Sequence, residues 1–441
     1  MNIVLQRLGS YVPTVRRADL MHDLLASVVV FLVALPLCMG IAVASGEPPA
    51  SGILTGIIGG LVVGWIAGCP LQVSGPAAGL TVIILDLVQT HGREHVGTII
   101  LLAGLIQIGA AWLQLGHWFR AVSPAVIHGM LAGIGVLIFV SQFHVMIDDA
   151  PKGSGLANLF TLPEALWKSM LTGNDADTNH HEAARIGLST IAAIILWTKF
   201  APKRLRLLPP VLVGVSCATI LSAVSQAPIS HVAVRDDLLW VMNLPSISDL
   251  SHMLDTSIWA EALGLAFIAS VESLLSATAV DQLHAGPRTR YNRELFAQGI
   301  GNGLCGLLGA LPMTGVIVRS AANAQAGART RFAAVLHGAW LLLFVSLLPF
   351  VLRLIPTASL GAVLVYTGYK LMNLQAVREM KAYGRNEIWI YCATVVTIVT
   401  TNLLIGVLFG LGLAVAKLLY TTQNLDSYYW HDPKTGKLNL E

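Results

Sequence analysis

Two stretches of this chain place polar and helix-starting residues inside otherwise apolar sequence: PLQVSGPAAGLT at 70–81 and LPMTGVIVRSAAN at 311–323. In the first, Ser74-Gly75-Pro76 sets a small polar cap and a glycine before a proline, the signature of a helix that starts there. In the second, Pro312, Thr314 and Gly315 precede another short helical run. A helix that begins partway through a membrane leaves extended backbone before it. Such backbone survives only when buried in protein or lining a wet cavity. Two helix N-termini aimed at one point offer unpaired N–H groups and the positive ends of two dipoles, which suits a small anion. A pair of kinked structural helices is the competing reading.

Two ionisable side chains fall in the same apolar surroundings. Arg319 lies inside the second short helix, where insertion scales charge an arginine at least ~2.5 kcal/mol. Spacing alone leaves it two roles: reaching to the cytoplasmic surface beyond Gly327, or adding charge to an anion site. Glu272 lies within LGLAFIASVESLLSATAVD, with Ser276 one helical turn on and on the same face. A carboxylate there binds a cation, takes up a proton, or pairs statically with Arg319. Asp86 and Glu261 sit near the ends of apolar runs and read as solvated. Asn179, His180, His181 and Glu182 have no metal-ligand partner set and read as surface.

Membrane-spanning elements must position these groups. Of 441 residues, 55% are hydrophobic and 12% charged, against about 25% charged in soluble domains. So little polar material cannot cover a soluble fold of this length. The chain is an all-α polytopic membrane protein. Its apolar segments lie near 24–44, 49–68, 76–89, 97–115, 123–146, 186–200, 208–224, 259–280, 294–310, 316–327, 331–352, 357–374, 387–401 and 402–420. Residues 1–23 read as an interfacial segment, not a cleavable signal, 225–258 as an extracytoplasmic loop and 421–441 as a short cytoplasmic tail. The loop 147–185 is placed outside as well. The net charge of +3 is spread over short loops, which argues against nucleic acid. Cys38, Cys69, Cys217, Cys305 and Cys392 fall in apolar segments without a C-x-x-C pair and read as small buried hydrophobes.

Lys and Arg cluster in alternate loops, at Lys199, Lys203, Arg204 and Arg206, then Arg288, Arg290 and Arg293, then Arg329 and Arg331, then Arg378, Lys381 and Arg385. That parity favours both termini on the cytoplasmic side. A weak repeat lays Gly59 on Gly301, Gly64 on Gly306 and Pro70 on Pro312, dividing the membrane region into 24–224 and 259–420. Seven spans per half is an odd number, so the halves have opposite orientation, the inverted-repeat plan of many secondary transporters.

The stretches ALPLCMGIAVASG (34–46), PLQVSGPAAGLT (70–81) and, above all, NRELFAQGIGNGLCGLLGALPMTGVIVRSAANAQAGART (292–330) resemble the SulP sulfate permease family of inorganic anion transporters. The resemblance covers nearly the whole membrane region. It implies a seven-plus-seven inverted repeat with core and gate domains, like the uracil permease, and an anion held between the third and tenth elements. The matching positions here are Gln72, Ser74, Gly75, Ala77, Thr81, Thr314, Gly315, Val316 and Arg319. In the family's cyanobacterial bicarbonate transporters the eighth span carries an Asp, with a Thr four residues later, that serves a sodium ion. Glu272 and Ser276 fall on those positions, matching by type only. Most members continue into a STAS domain, which this chain, ending at DSYYWHDPKTGKLNLE, does not show. Some bacterial relatives have a carbonic-anhydrase-like domain instead, so a partner of that kind is an expectation.

The combined expectation is a non-enzymatic secondary transporter of a small inorganic anion in a bacterial inner membrane, a homodimer without an organic cofactor. Bicarbonate is the first substrate and sulfate the second; related sequences also carry dicarboxylates. The coupling ion is sodium, held by Glu272 and Ser276, or a proton. A channel-like anion conductor is the competing class, and a nucleobase permease is disfavoured by the basic Arg319. Orientation is directly testable. A cysteine placed in 225–258 is expected to react with an impermeant maleimide from outside, whereas one at 286–290 is not. The opposite labelling would invert the topology.

Overall fold

The computed structural model describes residues 17–117, 123–152, 154–170, 180–202, 205, 208–226, 228–233, 256–372, 378, 380–381, 384–423, 429–431 and 438–440. Most of its helices are apolar on all sides, as segments surrounded by protein and lipid must be. In chain order they are α1 (Arg17–Ala44), α2 (Pro49–Ile58), α3 (Thr81–His91), α4 (Arg93–Trp112), α5 (Pro124–Met146), α6 (Gly155–Met170), α7 (His180–Phe200) and α8 (Pro210–Ser225). There follow α9 (Thr256–Leu283), α10 (Tyr291–Leu308), α11 (Ile317–Gln325), α12 (Phe332–Leu347), α13 (Thr357–Leu371), α14 (Arg385–Thr400) and α15 (Leu403–Gln423). Among the described residues seven helices are long and apolar enough to cross a membrane, and shorter apolar helices accompany them.

Every apolar segment marked in the sequence has its helix. The third and tenth, however, open on strands: β1 (Ser74–Pro76) precedes a 3-10 turn and α3, and β2 (Met313–Gly315) precedes α11. The stretch 147–185, read as loop, holds α6. Its polar and apolar residues alternate at helical period, so a search for long apolar runs passes over it. α6 is held by polar contacts: Thr161 Oγ1 bonds the His144 ring at 3.1 Å, and Lys168 reaches Asp149 at 3.6 Å. Burial alone would raise the Asp149 carboxyl, but His144, the Ala150 N–H, Lys168 and Lys152 together hold it below its usual range. His180 and His181 are half-buried rather than free surface, because their Nδ1 atoms donate to the Ile147 and Ser169 carbonyls at 2.7 and 3.1 Å. Asn179 and most of 225–258 lie outside the described residues. Cys38, Cys69 and Cys305 are buried as expected, but Cys217 and Cys392 lie on exposed helix faces.

The chain divides into two units. One comprises 1–121 and 134–372; the other comprises 122–133 and 373–441. In the second, Ala125, Val126 and Ala132 pack on Met380, Ile390 and Tyr391. There Ser123 and Lys417 both bond the Glu387 carboxylate. In the first, α4 and α10 approach at backbone contact. A β-carbon on Gly104 would lie 2.7 Å from the Gly299 carbonyl, and one on Gly97 would lie 2.9 Å from that of Gly306. Only hydrogen side chains permit this spacing.

That close approach lets α10 act as a polar ladder. Glu294, Gln298 and Asn302 recur every four residues and share one buried face. Glu294 Oε2 accepts from the Gly68 and Cys69 N–H groups at 2.7 and 2.9 Å. Gln298 Nε2 donates to Ser74 Oγ at 2.7 Å and to Glu294 Oε1 at 2.8 Å. Asn302 clamps Met313 twice, accepting from its N–H at 2.7 Å and donating to its carbonyl at 3.1 Å, while also donating to Gln107. Asn302→Leu would leave both Met313 backbone groups unpaired, at roughly 1–3 kcal/mol each. The variant is expected to melt well below wild type in detergent. An equal melting temperature would mean that water replaces the clamp.

A candidate anion site between two broken helices

The site is built on β1 and β2, which pair antiparallel with Ser74 opposite Gly315, Gly75 opposite Thr314 and Pro76 opposite Met313. Each strand leads into its own half-helix, so the two helices run apart and their N-termini meet at the crossing. The backbone around the break is satisfied mainly by side chains. Val73 N–H donates to Ser320 Oγ at 2.9 Å, Asn323 donates to the Leu71 carbonyl at 3.0 Å, and Thr55 donates to that of Leu311 at 2.9 Å. Gly315 N–H donates to Ser273 Oγ at 3.1 Å, and Val316 N–H to the Val73 carbonyl at 2.9 Å. The donors left for a ligand are therefore the first turns themselves: Ile317 to Arg319, and the N–H groups near Ala78 and Gly79.

The residues expected to line the anion site come to this crossing, but not all keep a free polar group. Gln72 is buried with its Nε2 donating to the Ser273 carbonyl at 3.2 Å; that nitrogen fills the place a Gly315 side chain would take. Ser74 Oγ accepts from Gln298 and retains its own proton to donate. The Thr81 hydroxyl donates to the Ala78 carbonyl in its own turn, and that of Thr314 donates to the Gly315 carbonyl at 3.3 Å. Ala77 is buried apolar surface, and Val316 is half-buried with its N–H already used.

Arg319 is wholly buried, so the reading in which it reaches the cytoplasmic surface does not hold. Its Nη1 stands where a Gly75 β-carbon would be, and its Nη2 donates to the Pro76 carbonyl at 3.4 Å. Its Nε and Nη1 have no partner. The static pair with Glu272 is absent too, since Glu272 Oε2 is also without a partner. Glu272 is half-buried and lies over the first turn of the third element. A β-carbon on Gly79 would sit 2.9 and 3.0 Å from its two carboxylate oxygens. Ser276, a turn further along α9, has a buried hydroxyl with no partner. Among the described residues no group of three or more His, Cys, Asp or Glu is placed to hold a metal ion.

The sequence reading missed Gln298, Asn302, Ser273 and Gly79. The four-residue spacing of Glu294, Gln298 and Asn302 in a glycine-rich apolar helix was a usable signal for the first two. Ser273 and Gly79 have none, because their roles depend on which elements cross.

Two broken helices whose breaks meet at one crossing, in an inverted repeat of seven plus seven membrane elements, define a secondary-transporter fold. The chain belongs to the sulfate permease family, whose model matches residues 20–394; this is a family of transporters rather than enzymes. It is 28% identical over 409 residues to the putative sulfate transporter YvdB of Bacillus subtilis, covering 89% of this chain and 72% of that one. It is 27% identical over 423 residues to the bicarbonate transporter BicA of Synechocystis, covering 91% of this chain and 70% of the relative. The transmembrane domain of a cyanobacterial BicA superposes with a TM-score of 0.74 at 23% identity, covering 91% of this chain and 98% of that structure.

Gly75 is the sharpest test of the geometry. Gly75→Ala puts a methyl group onto Arg319 Nη1 and must displace the guanidinium. It is expected to weaken anion binding more than Ser74→Ala, which removes about 1 kcal/mol of hydrogen bonding. Anion-dependent thermal stabilisation of the purified variants measures this. Unaltered binding in Gly75→Ala would place Arg319 outside the site.

Proposed function

We propose that this protein is a cation-coupled secondary transporter of a small inorganic anion, with bicarbonate first and sulfate second. The anion lies at the crossing of the third and tenth elements, held by the first-turn N–H groups, Ser74 and Arg319. The observation that carries the reading is the place of Glu272: its carboxylate rests against Gly79, at the helix N-terminus an anion would use. Two unit negative charges about 5 Å apart at an effective dielectric of about 20 repel by roughly 3 kcal/mol. The anion therefore binds well only when a cation neutralises Glu272. That is obligatory coupling from electrostatics alone.

Sodium fits the local donors, since Glu272 Oε2 and Ser276 Oγ are both oxygen ligands without partners. Backbone carbonyls near Thr314 would complete its coordination. Coupling by a proton is the second reading, favoured because no cationic side chain bonds that oxygen and a proton needs no further ligands. The protein on this reading is a dimer in a bacterial plasma membrane with both termini cytoplasmic, exchanging access between the two sides by movement of core past gate. A carbonic-anhydrase-like partner would follow naturally if bicarbonate is the cargo.

Proteoliposomes loaded for an inward sodium gradient at fixed pH are expected to accumulate labelled bicarbonate saturably, with sulfate as a weaker competitor. Glu272→Gln keeps the shape and removes the charge, so accumulation should be lost while the protein remains folded. Accumulation under a pH gradient without sodium would select the proton. Normal gradient-driven uptake by Glu272→Gln under both conditions would make this residue structural, and an ohmic current independent of gradient would make the protein a conductor.

A further inference from the structure

The helix α6 turns its polar residues toward the protein. Asn158 is buried, and its Oδ1 accepts from the Lys152 N–H at 2.7 Å. Thr161 bonds the His144 ring, Lys168 reaches Asp149, and the Ser169 carbonyl accepts from His181 at 3.1 Å. The outward face is apolar: Phe160, Trp167 and Met170 are 77%, 65% and 71% exposed, with Leu159, Pro163 and Leu166 exposed beside them. At helical pitch these side chains fall within one arc of about 120°. Glu164, exposed and paired with Lys168 at 2.9 Å, marks an edge of that arc.

A helix bathed in water would turn the other way, with its apolar face on the protein. The bonds that fasten α6 indicate what lies against it instead. Asp149 follows the end of α5 and His181 begins α7, and both of these consecutive helices are long and apolar enough to cross the membrane. Fastened to both, α6 is held at the level where two spans leave the bilayer. Phenylalanine and tryptophan among leucine and methionine are the make-up of helices that lie in that zone. A second protein fits less well, since one short helix face falls far below the roughly 20–30 residues a side of a stable interface.

We propose that α6 is a membrane-surface helix whose Phe160, Trp167 and Met170 face is sunk into the lipid at the boundary of headgroups and acyl chains. The occupant of that face is the bilayer itself. Through His144, Asp149 and His181 the helix ties the adjoining ends of α5 and α7 to one leaflet and holds them at a fixed depth. The inference is independent of which anion is carried and of what drives it.

The test places a nitroxide on the full chain in vesicles of phosphatidylethanolamine and phosphatidylglycerol. Phe160→Cys, Glu164→Cys, Trp167→Cys and Met170→Cys are made singly with Cys217→Ser and Cys392→Ser, because those two thiols are exposed. At positions 160, 167 and 170, oxygen is expected to relax the label several-fold more than an aqueous nickel chelate does, at a depth of about 5–10 Å. Position 164 should show the reverse order. Dominance of the nickel chelate at all four positions would put the face in water and overturn the proposal. Weak collisions with both reagents, with spin–spin broadening that dilution by unlabelled chain removes, would give the face to a second copy and overturn it equally. The unmodified chain supplies a second measurement. A phospholipid with a photoactivated carbene high on its acyl chain is expected to label residues 155–170, and labelling of α7 without them counts against the proposal.

Discussion

The organising constraint is the satisfaction of backbone groups that two interrupted helices expose within the membrane. Water is not freely available there, so each N–H and C=O in the breaks needs a partner from the protein or from the cargo. Glu294, Gln298 and Asn302 on α10 hold the Gly68–Cys69 backbone, β1 and β2 in turn, and Asn323, Ser320, Ser273 and Thr55 complete the set. What remains unpaired is concentrated at the first turns of α3 and α11. The site is thus the part of the break that the fold leaves for a ligand.

The same economy of partners sorts the charges. Arg319 and Glu272 stand at one crossing yet do not neutralise each other. The guanidinium turns into a slot lined by Gly56, Gly75 and Cys38, whereas the carboxylate lies over Gly79. A direct ion pair would fill both groups and leave nothing to bind. Held apart, on the proposed reading, one offers donors to an anion and the other demands a cation, so that cargo of opposite signs would become mutually dependent. The strands between them fix that separation, since their antiparallel register places Gly75 opposite Thr314.

Much of the fold was legible from hydropathy. Fourteen apolar segments and the two polar breaks, at 74–76 and after Pro312, correspond to elements of the structure, but Pro76 ends β1 instead of starting a helix, which begins only after Ala77. The amphipathic α6 was not legible by that route, because it never forms a long apolar run and is fastened by Asp149, His144 and Lys168 instead. The two half-buried histidines at the start of α7 were misjudged for a related reason: a sequence shows that they are polar, not that the Ile147 and Ser169 carbonyls lie within reach.

At the site, the sequence determined which groups are out of place in a membrane: Arg319, Glu272, Ser276 and the two polar breaks. Each is anomalous against its immediate neighbours, and local anomaly is what a linear pattern can register. It could not decide which of them touch, because that depends on helices hundreds of residues apart crossing at backbone contact. Only the tertiary structure turned Arg319 inward, kept it from Glu272, consumed the hydroxyl protons of Thr81 and Thr314 in local bonds, and left Ser276 and His337 with unpaired atoms. Composition and spacing set the inventory of polar atoms, while the spending of each hydrogen bond is settled by long-range packing that no local pattern encodes.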